Sequence, residues 1–500
     1  MLKSLVETAA QMEPERIVLS RGGRAVGLGE LVDRAASLAT RLERNGVGHV
    51  VYPGLNGPDM PLGLFACIVA GIPFVPLNYR LGPEKLEHLV GRLSRPFVLT
   101  DARASIGDRP VIGIEDVWDE PPPAGLTGSP GGEVDGTAIA TVLFTSGTTS
   151  EPKAVPLRHE NLATYLLNSI DILGARPDEA TLVSVPPYHV AAVGATLSNL
   201  LSGRRMVYLP NFDPEAWLTC VESEGITSAM VVPTMLARII TYLDGVPFRS
   251  ATLRNLAYGG ARISPPVLEE AVRLFPGVDF TNAYGLTETS STIAILGPDD
   301  HRAALAPGAT ESQRARLGSV GRPIPGVEIE IRDEEGRPVE PGAAGELFVR
   351  GAQVSGEYVG QGVALDEDGW FRTHDGARVD EEGYLFVVGR LDDTIIRGAE
   401  NISPSEIEDV LMGHPDVQDV AVVGVPDPEW GERTVAVIVP RTTVDPHDLR
   451  EWVRQRLRSS RTPDDIVFVP SLPYGPTGKL LRREVLSDLT TGSAHSDKEN

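Results

Sequence analysis

Two cysteines, Cys67 and Cys220, are all that this chain of 500 residues contains, and both lie in apolar stretches. Buried thiols are expected there, because a disulfide framework or a cysteine-built metal site needs more cysteines at closer spacing. Basic residues are also in short supply: 45 Lys and Arg against 69 Asp and Glu leave a formal net charge of -24. That imbalance excludes a general nucleic-acid or anionic-membrane surface, since long-range repulsion opposes both encounters. A phosphate-bearing ligand must therefore meet a local concentration of positive groups. Long apolar runs are missing as well. The most apolar segment, Leu62 to Leu77, is interrupted by Gly71 and Pro73 and reads as a core helix followed by a strand. It falls short of the roughly 18 uncharged apolar residues of a membrane helix. The start, MLKSLVETAAQMEPERIV, lacks the unbroken apolar core of a signal peptide. A protein of the reducing cytoplasm without membrane insertion is expected.

What is present points to layered α/β architecture. A chain of this length exceeds what one hydrophobic core serves, so at least two domains are expected. Helical periodicity in LGELVDRAASLATRLERNG (28–46) alternates with β-rich runs such as PFVPL (73–77) and PFVLT (96–100), the pattern of a largely parallel sheet. A proline- and glycine-rich loop from Asp119 to Gly136 precedes the strand candidate TAIATVLF (137–144). After about Leu296 the pattern changes. The segment 325–351 alternates residue types between turn signals and predicts antiparallel strands in a small β-barrel. A final unit starts near 389–393, with helix candidates at 403–414 and 445–460 flanking the strands VQDVAVVGVP and ERTVAVIVP.

The polar run TSGTTSEPK (145–153) follows the strand candidate directly. Such a loop offers backbone N–H groups, hydroxyls and an ammonium to a polyphosphate. It is not a Walker A loop, because no second glycine precedes Lys153 and no Ser or Thr follows it. On its own, the run could also be a structural Ser/Thr-rich turn, the less favoured of the two readings.

Further segments change that balance: AYGGAR (257–262), NAYGLTE (282–288), GWFRTHD (369–375), GRLDDTIIRGAENISPSEIE (389–408) and PTGK (476–479). In this order and spacing the chain resembles the adenylate-forming superfamily of acyl- and aryl-CoA synthetases, luciferases and peptide-synthetase adenylation domains, over about Leu28 to Leu486. The likeness is greatest to the acyl-CoA and aryl-CoA ligase branch that holds 4-chlorobenzoate:CoA ligase.

The resemblance implies an α/β fold: a large multi-subdomain N-terminal domain of α/β layers plus a small β-barrel over 1–391 and a mobile α+β C-terminal domain over 392–489; the polar composition of the last residues, TGSAHSDKEN, predicts a disordered tail over 490–500. It implies attack of a carboxylate on the α-phosphate of ATP, chemistry that needs positioning and charge neutralisation more than a nucleophilic side chain. Thr145, Ser146, Gly147, Thr148, Thr149 and Lys153 would hold the phosphates. Thr287 would contact the α-phosphate and Glu288 would help place Mg²⁺, whose hard character suits oxygen ligands. Gly259, Gly260 and Ala261 would approach adenine, Tyr284 would stack on it beside Gly285, and Asn282 would bond its amino edge. Asp375 would accept both ribose hydroxyls with Arg390 assisting. Lys479 would bridge carboxylate and α-phosphate, and Asp392 would be the hinge that swings the small domain. The face from Gly398 and Ala399 to Asn401 would line a channel for the pantetheine arm of CoA.

The acyl pocket is expected from PPYHVAAVG (186–194), with His189 as an aromatic gate beside Val190 and Ala191. Met230, Gly260, Ala283, Gly285, Ser290 and Ser291 would complete the wall. These residues are apolar or small, which suits an aryl, alicyclic or fatty acid and disfavours an α-amino acid.

Some positions depart from the family pattern. Ser150, Ala154 and His374 stand where relatives carry glycine, which is harmless as long as the local φ is negative. On the thioester side, Ala399 replaces a glycine, while Thr462 and Asp464 stand where CoA-using relatives carry cations. Losing cations and gaining an acid is expected to weaken CoA binding, and Asp464→Lys to improve it. Three readings follow: a full acyl-CoA synthetase, an adenylating enzyme that passes acyl-AMP to a carrier protein or a thioesterifying partner, and a catalytically silent nucleotide- or acyl-binding relative. Intact Lys153, Glu288, Asp375, Arg390 and Lys479 disfavour the third.

Overall fold

A computed structural model of the chain describes residues 1–100, 106–120, 132–145, 151–398, 400–475 and 479–496, the last six by backbone alone. The helix Asp59–Ala70 (DMPLGLFACIVA) is apolar on every side, and its residues from Met60 to Val69 are all buried. A helix with no polar face has to lie inside the protein. Its chain then turns through Gly71 into the strand Phe74–Pro76, as the sequence predicts. The helix Leu28–Arg44 is amphipathic instead, burying Leu28, Leu31, Ala35, Leu38 and Leu42 on one face.

These helices cover two sheets. One has six strands, in the spatial order Val111–Gly113, Pro96–Thr100, His49–Tyr52, Phe74–Pro76, Ile139–Thr145, Lys153–Arg158, and is parallel except for the last pair. The other has nine strands. Its parallel centre runs from Asp279–Leu286 through Asn255–Gly259, Ser228–Val231, Ala180–Val183 and Arg205–Tyr208 to Ile17–Arg21, and antiparallel strands close both edges. The segment expected to form a small barrel folds as a four-stranded antiparallel sheet, in the order Glu328–Arg332, Gly345–Arg350, Phe371–Val379, Leu385–Arg390. Its end strands do not pair with each other among the described residues.

From Ile395 onward a separate apolar core forms around Ile395, Ile402, Ile407, Leu411, Val422, Ile438 and Leu449. The long hairpin Val417–Asp427 and Gly431–Pro440 carries it, with the helices Pro404–Met412 and Pro446–Arg454 packed alongside. Of the tail expected over 490–500, residues 490–496 continue the helix Arg482–Ser496, and the last four lie outside the described residues. Val485 and Leu489 pack into the second core of this unit, and Arg482 is pinned by Glu408 at 2.5 and 2.8 Å. A nucleus fixed in this way lets the helix propagate through a polar sequence.

The two parts meet in an ion pair between Arg262 and Asp409. Burial pushes the Asp409 carboxyl up to about 6, with Arg262 opposing and Glu408 and Glu406 reinforcing the shift. Because an unfolded aspartate titrates near 3.9, the folded protein holds this proton more tightly. The stability it contributes is present below about pH 4 and is lost as pH rises through about 6. Asp409→Asn, which cannot titrate, is expected to flatten the pH–stability profile in that window. Denaturant titrations of both proteins from pH 4 to pH 7 check this, and parallel profiles would refute it.

Candidate nucleotide and acyl site

Three parallel strands of the large sheet end side by side, which is where open α/β sheets place their ligand crevice. Cross-strand register sets Met230 beside Ala257, Tyr258 beside Asn282, and Gly259 beside Ala283. A Cβ on Gly259 would lie 2.2 Å from the Ala283 carbonyl oxygen, and Gly260 adopts φ +84°. Both glycines are therefore demanded by the backbone itself, with or without a ligand. Gly285 sits at the register shift between this strand and its antiparallel neighbour Ser291–Leu296. The chain then makes a single turn, Thr287–Thr289, and passes through Ser290 at φ 57° and Ser291 at φ 108°. Non-glycine residues in this region are strained and persist where surroundings over-determine them. Here the wholly buried Gln353 amide donates to the carbonyls of Thr289 and Thr292, at 3.0 and 2.9 Å.

Facing Tyr284 across the crevice is Asp375, only 5% exposed. The Tyr284 hydroxyl donates to one of its carboxylate oxygens at 2.5 Å, and Arg390 to the other at 3.2 Å. Arg390 also donates to the Thr373 carbonyl at 3.0 Å, which fixes its fork. Burial raises the Asp375 pKa above the ordinary carboxylate value, while Arg390, Tyr284 and the charge of Lys479 oppose that shift. Lys479 acts on Asp375 from the C-terminal unit by its charge alone, and its own carbonyl accepts the Gly475 N–H at 2.8 Å.

The condition set for His374 fails: its φ is +62°. The backbone is irregular here, because Phe348 pairs with Arg372 but Glu346 pairs with Gly376. The extra residues force a left-handed step that carries Asp375 inward. The His374 ring points outward, 3.5 Å from the Glu346 carboxylate that Arg372 also holds at 2.7 Å. Ala154 does meet the condition, lying in the extended strand Lys153–Arg158 opposite Phe144.

Thr145 and Lys153 are register partners on adjacent antiparallel strands, so they bracket the loop expected to hold phosphates. Ser146, Gly147, Thr148, Thr149 and Ser150 lie outside the described residues. The sequence motifs did not single out Tyr358. Its hydroxyl donates to Glu288 Oε1 at 2.9 Å, and the Lys153 ammonium lies 4.7 Å from its ring centroid. An aromatic in GEYVG, between two matched motifs, was the available signal.

His189 precedes the helix Val190–Ser202, whose first residues are Val190 and Ala191. Its ring lies 4.5 Å from that of Tyr188, and burial pushes its pKa down to about 4, so the imidazole is neutral at neutral pH. The buried His189 Nε2, Tyr188 hydroxyl and Ser290 hydroxyl have no hydrogen-bond partner among the described residues. Polar atoms left this way are uncommon in native interiors and mark places where a ligand or water completes the structure.

Residues 6–359 match the AMP-binding enzyme family, and residues 406–479 match the AMP-binding enzyme C-terminal domain. The chain belongs to the AMP-binding enzymes. It is 36% identical over 497 residues to a feruloyl-CoA synthase of Amycolatopsis, covering 95% of this chain and 96% of that protein. It is 33% identical to an indoleacetate–CoA ligase of Aromatoleum aromaticum, covering 97% of each. Among solved structures, o-succinylbenzoate CoA synthetase of Bacillus subtilis with its acyl-adenylate intermediate superimposes with a TM-score of 0.83. That pair shares 28% identity, covering 96% of this chain and 97% of the other.

In this AMP-binding enzyme the expectation drawn from Asp464 is overturned. Its carboxylate is not a free acid facing an anionic ligand: Arg397 holds it through two bonds at 2.7 and 3.1 Å, and the Thr434 N–H donates to it at 2.8 Å. Thr462 is buried, and Arg461 is engaged by Glu400 and Glu406. Gly398 donates its N–H to the Trp430 carbonyl at 2.8 Å, while Ala399 lies outside the described residues. Asp464→Lys therefore replaces a partly buried ion pair with two like charges and orphans a backbone donor. The expected outcome is a loss of about 2–4 kcal/mol in stability, with no gain in CoA affinity. Chemical denaturation and CoA titration of the variant check both parts.

Proposed function

We propose that this AMP-binding enzyme activates an aromatic carboxylic acid with ATP and Mg²⁺, releases pyrophosphate, and transfers the acyl group from acyl-AMP to CoA. The observation that carries the reading is the convergence on the buried Asp375 of Tyr284, Arg390 and the charge of Lys479, contributed by three parts of the chain. A carboxylate desolvated in this way can accept both ribose hydroxyls in charge-assisted bonds, displacing the Tyr284 hydroxyl so that its ring is free to stack on adenine. Asn282 and the side-chain-free edge at Gly259 and Gly260 suit the purine.

Glu288 fits a magnesium site: it is a hard oxygen donor, and Mg²⁺ in nucleotide sites takes one or two carboxylates plus phosphate oxygens. When bound, the metal neutralises charge building on the departing pyrophosphate. Thr145, Lys153 and the loop between them hold the β- and γ-phosphates. Thr287 meets the α-phosphate, and Lys479 holds the attacking carboxylate against it while negative charge develops between them. No proton moves in this half-reaction. Rotation about Asp392 then withdraws Lys479 and brings the Gly398 face to the acyl-AMP.

The relatives named above act on ferulate, indoleacetate and succinylbenzoate, all aromatic acids, which supports an aryl substrate. A neutral His189 and the small residues Ala283, Gly285 and Ser290 leave room for a ring. The reading is tested with a panel of aryl, alicyclic and fatty acids, assayed in parallel for pyrophosphate release and CoA thioester. Carboxylate-dependent pyrophosphate release without thioester would favour a carrier-protein acceptor, and release with no acid in the panel would overturn adenylation.

Lys479→Ala is expected to slow acyl-AMP formation by about 10²–10³-fold while leaving the reaction of preformed acyl-AMP with CoA within a few-fold of wild type. Separate assays of the two half-reactions check this. Asp375→Ala is expected to weaken ATP binding by about 1.5–3 kcal/mol for each charge-assisted bond lost. Calorimetric titration with ATP reads that loss.

A further inference from the structure

Glu288 and Lys153 carry opposite charges at the same end of the crevice, yet neither forms an ion pair among the described residues. Tyr358 stands between them. Its hydroxyl donates to Glu288 Oε1 at 2.9 Å, and its ring face receives the Lys153 ammonium 4.7 Å from the centroid. The tyrosine is itself held from several sides. Glu357 before it is bonded to Arg158 at 2.6 Å, Val359 after it donates to the Ala154 carbonyl at 2.9 Å, and Gln361 donates to the Tyr358 carbonyl at 3.0 Å. The same segment grips the backbone of its other partner: the N–H groups of Ser355 and Gly356 donate to the Glu288 carbonyl at 2.9 and 3.2 Å. A carboxylate can only accept, so the phenol is the donor in this bond.

We propose that Tyr358 is a positioning residue for the phosphate site, aiming the Glu288 carboxylate through its hydroxyl and holding the Lys153 ammonium on its ring so that the two charges stay separate and ready for ligand. The inference rests on the roles proposed above for Glu288 and Lys153. If the two formed a direct pair, that pair would have to break before metal and phosphate could be bound. An interposed aromatic with a polar tip satisfies each charge weakly and leaves both available. A tyrosine does this with two separable parts, which makes the idea testable.

The experiment uses the full-length protein and ATP as probe, with affinity measured by calorimetry in the presence of Mg²⁺ and in its absence, so no acyl substrate is needed. Tyr358→Phe keeps the ring and removes the hydroxyl. It is expected to bind ATP as wild type without Mg²⁺ but to lose roughly tenfold of the Mg²⁺-dependent gain in affinity, about what one bond to a charged group provides. Tyr358→Leu removes both parts and is expected to weaken ATP binding with and without Mg²⁺. In a double-mutant cycle, Tyr358→Phe should have no further effect in a Glu288→Gln background, a coupling that a merely structural role would not produce. Thermal unfolding of each variant confirms an intact fold, and Tyr358→Phe, which keeps the packed ring, carries the test if Tyr358→Leu does not fold. Glu288→Gln and Lys153→Met are the controls. If they leave ATP and Mg²⁺ binding unchanged, the assignment of the phosphate site itself fails. If they impair binding while both Tyr358 variants match wild type, this inference alone is overturned.

Discussion

The contact between Tyr284 and Asp375 joins pieces of the chain that are otherwise independent. Tyr284 belongs to the nine-stranded sheet, while Asp375 and its register partner Arg390 belong to the four-stranded one. Beneath them a shared apolar cluster forms, in which Ile293 and Ala294 of the larger sheet pack with Leu347, Phe371 and Leu385 of the smaller. A carboxylate buried at that seam costs free energy unless it is paired, and both sheets are held in register by the partners that satisfy it. The proposed nucleotide site is thus built into the seam between subdomains. Displacing one sheet against the other would take the Tyr284 hydroxyl away from the carboxylate and leave Arg390, from the same sheet, as its partner.

Much of this arrangement was legible in the sequence because it depends on local pattern. The unbroken apolar run of the helix Asp59–Ala70 and the alternation around 325–351 are properties of neighbouring residues, and they became a buried helix and antiparallel strands; the order of motifs from Thr145 to Lys479 is local as well, and it pointed to the family. What the sequence did not disclose depends on contacts between distant positions. Asp464 looked like a misplaced acid because its partner Arg397 is remote in sequence, and only the folded hairpin brings Thr434 to it as well. His374 looked tolerable because no sequence pattern reports a two-residue irregularity in strand pairing. Tyr358 lacked a motif of its own, and its meaning lies in the two charges on either side of it. The helix through Ser496 was hidden by a polar composition whose anchor, Arg482, lies just upstream.

The two domains differ in how they hold their charges. In the C-terminal unit several cations are engaged by acids: Arg397 by Asp464, Arg461 by Glu400 and Glu406, Arg482 by Glu408 and Asp393. In the crevice, by contrast, Lys153 and Lys479 form no ion pair among the described residues. A protein with a net charge of -24 attracts a polyanion by such local exceptions, and uncommitted cations in a concave site focus the field where the ligand binds.

Asp375 also answers to a part of the chain that does not touch it. Among the influences that keep the buried carboxylate ionised, the nearest come from Arg390 and Tyr284 and the last from the charge of Lys479. The proton affinity of one side chain thus sums contributions from two sheets and the C-terminal unit, so that a change in where Lys479 lies is registered at Asp375 without contact between them.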